Sequence, residues 1–69
     1  MTTATAKQVS LIVDLLGTTW LEFLPEAKRT AINATNVPRS VPSKGHAGKW
    51  FARLTKADAS VVIDALLAL

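Results

Sequence analysis

The chain has no cysteine, no tyrosine and only one histidine among its 69 residues. Without cysteine there is no disulfide and no thiolate metal site, and one histidine cannot build a histidine-cluster metal centre. A domain this small draws only about 3–5 kcal/mol from a single core and commonly leans on a disulfide, a metal or a partner chain. With the first two excluded, efficient helix packing or self-association is left. Long apolar runs are missing as well. Residues 59–69 come closest, but Ser60 and Asp64 interrupt them, and a membrane-spanning helix needs roughly 20 residues. Residues 1–6 lack a basic stretch leading into an apolar one, so no secretory signal is expected. One soluble domain in a reducing compartment is expected, the cytoplasm. Apolar residues make up 49% of the chain, enough for a packed core.

Acidic residues are absent from one region. Residues 36–56 hold five cations, Arg39, Lys44, Lys49, Arg53 and Lys56, and no aspartate or glutamate. The rest of the chain holds three cations, Lys7, Lys28 and Arg29, against five acids. The net charge of +3 therefore comes from one basic segment.

What is present is a repeated helical pattern. Shifted by fifty positions, residues 5–16 fall on residues 55–66 with Thr, Ser, Asp and Leu in register. Thr5 and Gln8 have the spacing of a capping box, and Thr55 with Asp58 forms a similar helix start. Val9, Ile12, Val13 and Leu16 follow the three-to-four spacing of one buried stripe, a series that Trp20 can extend. Ala59, Val62, Ile63 and Leu66 form the matching stripe. Gly17 suits a helix C-terminus. Asp14 and Asp64 occupy equivalent positions beside the stripes, as exposed acids or as partners for the basic segment.

Between the repeats the pattern is looser. Residues 20–24 are apolar without a clean period, which fits an extended connection or a helical turn. Pro25 suits the first position of a helix, and Leu24, Ala27, Ala31 and Ala34 share one face with Ile32 beside it. Asn36 and Pro38 stop that helix. Two prolines and two glycines make residues 36–48 a long loop. Lys49 to Leu54 reads as a short helical turn whose Trp50, Phe51 and Leu54 plug the core. The expected fold is all-α: a three- to four-helix domain with repeat-related helices at about 5–17 and 55–68, which the long connection allows to run near-parallel, a middle helix at about 25–35, a turn at 48–54 and a long basic loop.

At Thr5-x-Lys7-Gln8 and Leu54-Thr55-Lys56-x-Asp58-Ala59-Ser60-x-x-Ile63-Asp64-x-Leu66 the chain resembles a small helical module of short proteins from actinobacteria and their phages. The module also occurs as a tail on some phage recombination-type proteins. Asp58 stands where that pattern more often has Glu, and residues 20–48 have no counterpart in it. The resemblance implies a phage or actinobacterial origin and, in some cases, a nucleic-acid-processing context. It brings no catalytic residues.

Two functional expectations follow. Arg39, Lys44, Lys49, Arg53 and Lys56 can neutralise phosphates while Trp50 stacks on a base, which points to DNA as a partner. Alternatively, Leu11 and Leu15 on the first helix and Leu67 and Leu69 on the last exceed what one stripe needs. Such surface marks self-association or a host-protein partner, unless the middle of the chain covers it. Gly45-His46-Ala47-Gly48 has the spacing of a phosphate-clamping GxxG loop, but the strands such a domain needs are absent, so a glycine turn with a surface histidine is expected. No paired carboxylates or activated nucleophile emerge. The expected protein is not an enzyme and uses no cofactor, metal, membrane or small-molecule substrate.

Overall fold

A computed structural model describes residues 2–36 and 41–69. Among these, four α-helices and no strand occur: α1 (Ala6–Leu16), α2 (Glu26–Ala34), α3 (Ala47–Phe51) and α4 (Lys56–Leu67), with a 3-10 turn at Leu21–Phe23. The all-α expectation holds. The expected Pro38 stop and the nucleic-acid contact at Arg39 lie outside the described residues.

The repeat helices begin as their sequences dictate. The Thr5 hydroxyl accepts the Gln8 N–H, and the Gln8 side-chain oxygen accepts the Thr5 N–H, both at 3.0 Å. Thr55 accepts the Asp58 N–H at 3.1 Å, without a reciprocal bond. Gly17 closes α1 at φ 76, a left-handed conformation that glycine adopts without strain.

These two helix starts lie side by side. The Lys56 N–H donates to the Thr2 carbonyl, the Ala4 N–H donates to the Leu54 carbonyl, and the Gln8 amide donates to the Lys56 carbonyl at 3.1 Å. The stripes then share one core. Ile12 and Leu16 from α1 and Ala59, Val62 and Leu66 from α4 are buried, with Val13 and Ile63 packed against them. Phe51 of α3 is fully buried, and Trp50 and Leu54 flank the core, as the plug expectation requires. Asp14 and Asp64 are exposed.

Three local expectations need correction. α3 begins at Ala47, so Gly48 lies inside a helix and only Gly45, at φ 132, serves the turn. His46 is exposed, as expected, and also N-caps α3: its Nδ1 accepts the Lys49 N–H at 3.2 Å. Trp20 does not continue the α1 stripe, because the chain turns at Gly17 and leaves the indole exposed. The inward face of α2 is not the alanine face. Ile32 is fully buried while Ala27 and Ala34 are exposed, and Lys28 and Arg29 are half-buried beside Ile32.

The last correction has a clear cause. Long cationic stems cover apolar surface while their heads reach acceptors. Lys28 Nζ donates to the Leu15 and Leu16 carbonyls at 2.7 and 3.2 Å, which lie at the end of α1 where carbonyls lack helical partners. The Arg29 guanidinium donates to the Val41 and Pro42 carbonyls, both at 2.9 Å, and to the Leu21 carbonyl at 2.8 Å. Alanine offers no such reach, so the helix turns its cations inward.

Candidate nucleic-acid interface

α3 and the turn after it place two cations on one side: Lys49 lies within the helix and Arg53 two residues past its end, and both line the same cleft. Lys44 joins them through backbone pairing of the preceding loop. The Leu21 N–H donates to the Gly45 carbonyl and the Ala47 N–H donates to the Thr19 carbonyl, both at 2.8 Å, forming an isolated antiparallel bridge between Trp20 and His46. The Glu22 carboxylate accepts the Gly45 N–H at 3.1 Å and fixes the same loop.

The result is a shallow cleft of about 180 Å³ lined by Lys44, Lys49 and Arg53 together with His46, Trp50 and Leu21. Pro42 and Gly45 complete its wall. No acid lines it. Among the described residues, the side chains of Lys44, Lys49 and Arg53 make no ion pair and accept no competing role in the fold. A concave arrangement of unpaired cations concentrates anions, since field lines are focused between low-dielectric walls.

Four of the six residues expected to contact nucleic acid are therefore brought together: Lys44, Lys49, Trp50 and Arg53. Lys56 is not among them. It opens α4 beside Thr2, Thr55 and Ala57, outside this cleft. Trp50 is half-buried, packed against the core and edge-on to Phe51 at 4.8 Å, so much of its ring is already in contact. The exposed aromatics are Trp20, expected to extend the α1 stripe, and Phe23, for which no role was expected. A signal for them existed. Leu21 and Leu24 are buried while Trp20 and Phe23 face out, the three-residue repeat of a 3-10 turn.

The leucines expected at a protein interface separate in the same way. Leu11 (42% exposed), Leu67 (62%) and Leu69 (65%) lie open, whereas Leu15 packs against the core. Among the described residues no cluster of three or more potential metal-ligating side chains occurs, and no helix is long and apolar enough to cross a membrane. Compared with protein-family models, curated proteins and solved structures, the chain matches none of them.

Proposed function

We propose that the chain is a small non-enzymatic accessory protein of phage or actinobacterial type, acting in the cytoplasm, that binds nucleic acid through Lys44, Lys49 and Arg53. One observation carries this reading: three cations without ion pairs among the described residues line one concave surface, with the Glu22 carboxylate, bonded to Gly45 of its wall, as the acid at its edge. A phosphate backbone is the ligand such a surface suits, because each contact releases condensed counterions. Three contacts on duplex DNA give a slope of log affinity against log salt of about −2.7. Titration of labelled oligonucleotides at several salt concentrations measures that slope. Salt-insensitive binding, or none, would sink the reading.

A second reading is a protein-interaction or self-association module. It is favoured by Leu67 and Leu69, which are more than half exposed at the end of α4. Light scattering across a dilution series tests self-association, and a monomer mass at every concentration would remove it.

A further inference from the structure

The chain has four aromatic residues, two Trp and two Phe. Trp50 and Phe51 belong to the core region and pack on each other. Trp20 and Phe23 do not. Trp20 is 48% exposed and Phe23 is 70% exposed. They flank the 3-10 turn, and the Phe23 N–H donates to the Trp20 carbonyl at 3.1 Å. Leu21 and Leu24, which alternate with them, are buried, so both rings stand on the outer side of this turn.

That edge adjoins the cationic cleft. The Trp20 ring meets the His46 ring edge-on at 5.3 Å, and His46 lines the cleft with Lys44 and Lys49. Aromatic faces beside a phosphate-neutralising groove are the two parts of a base-stacking platform. The state of the bases selects the strand. Among the described residues the Trp20 and Phe23 rings do not stack on each other, so each offers its own face to a base. Bases of a single strand can be splayed onto such faces, whereas in a duplex their faces are covered.

We infer that the ligand of this cleft is single-stranded nucleic acid, with bases on Trp20 and Phe23 and phosphates along Lys44, Lys49 and Arg53. This rests on the nucleic-acid reading above. Glu22, between the two aromatics, is the opposing charge on this edge. One of its oxygens is held by the Gly45 N–H, so Glu22→Gln keeps the acceptor, removes the repulsion and tightens binding.

The test uses the full chain with oligo(dT), oligo(U), a DNA duplex of equal length and inorganic polyphosphate. Single strands are expected to bind more tightly than duplex and to quench tryptophan fluorescence, with the tighter of the two identifying the sugar. Trp20→Ala and Phe23→Ala are each expected to weaken single-strand binding about tenfold, the usual scale of one base–aromatic stack, while polyphosphate binding stays unchanged. Trp20→Phe retains affinity and loses most of the quench. Phe23 is the more exposed of the two, so its variant keeps the fold. Polyphosphate binding with no preference for single strands, or with no effect of either alanine, overturns the stacking platform and leaves the cationic cleft. Failure of every probe, polyphosphate included, overturns both.

Discussion

Lys28 and Arg29 sit half-buried on α2 and direct five hydrogen bonds to backbone carbonyls. Lys44, Lys49 and Arg53 are exposed around a cleft and make no ion pair among the described residues. The two groups share residue types and differ in what stands within reach. The carbonyls of Leu15 and Leu16 end α1, where the helix dipole favours a cation. Those of Val41 and Pro42 belong to a loop, and that of Leu21, which also accepts the Leu24 N–H within the 3-10 turn, has room for a second donor. Cations near such acceptors become part of the fold. Cations on α3, on its entry loop and just after it make no such bonds among the described residues and stay exposed. Carbonyls within reach, and not the local density of positive charge, separate bonded from exposed cations among the described residues.

The most severe way to break this contrast is Arg29→Met. The aliphatic length is retained while three bonds are lost; the Val41 and Pro42 carbonyls lose this donor and the Leu21 carbonyl keeps only the Leu24 N–H. Hydrogen bonds to charged groups contribute about 1.5–3 kcal/mol each when measured singly, and these share one side chain, so a loss of about 2–4 kcal/mol is expected. That is most of what a core of this size supplies. Urea unfolding followed by circular dichroism reads the shift. Arg29→Lys, which keeps the charge without the planar fork, should fall between the two. A midpoint unchanged in Arg29→Met would place Arg29 with the exposed cations.

Lys28→Met comes next, at about 1–2 kcal/mol, for two bonds at the end of one helix. Gly17→Ala probes the same corner by another route. A side chain at φ 76 is strained, while the added carbon would lie 3.6 Å from Lys28 Nζ, an ordinary contact. The cost is therefore backbone strain, about 1–2 kcal/mol. Lys28→Met should spare the turn itself, so the two losses add closely if they are independent.

The repeat helices were the legible part of this chain. Thr5 with Gln8, Thr55 with Asp58 and the two apolar stripes act within one or two turns, so their spacing alone predicts caps and buried faces. α2 was misread because alanine is too small to declare a face. Leu24, Ala27, Ala31 and Ala34 share a stripe, but Ile32 and two cationic stems cover more apolar area than three methyl groups. Charge counting also passed over Lys28 and Arg29, since Glu26 nearby and Glu22 before it make that region look balanced. For the cleft, Lys44, Lys49 and Arg53 were legible as members of the acid-free basic segment. That His46 joins them in one cleft and Lys56 does not was not legible, because the bridge to Trp20 and Leu21 that positions the loop joins residues far apart in sequence.

His46 offers a milder test of that bridge. Its ring caps a helix of five residues and meets Trp20 edge-on. His46→Ala is expected to cost about 1 kcal/mol, the usual scale of a lost N-cap, and to alter the Trp20 fluorescence. His46→Asn restores an acceptor for the Lys49 N–H without restoring the aromatic contact. Recovery of stability with the fluorescence still altered would separate the cap from the ring packing. If asparagine recovers neither, the edge contact carries the larger share.

The smallest stability effects are expected among the exposed cations, and there the contrast turns from folding to binding. Lys49→Gln and Lys56→Gln each change stability by no more than about 0.5 kcal/mol, as surface substitutions away from buried features do. Their effects on oligonucleotide binding should differ. Lys49 lines the cleft, so its loss removes one phosphate contact and lowers the magnitude of the duplex salt slope by about 0.9. Lys56 opens α4 outside the cleft, so its loss leaves the slope near that of the parent. Equal slopes for the two variants, both below the parent, would mean that the phosphate track runs past Arg53 to the start of α4. The boundary between bonded and free cations would stand, while the cleft would cease to be the limit of the binding surface.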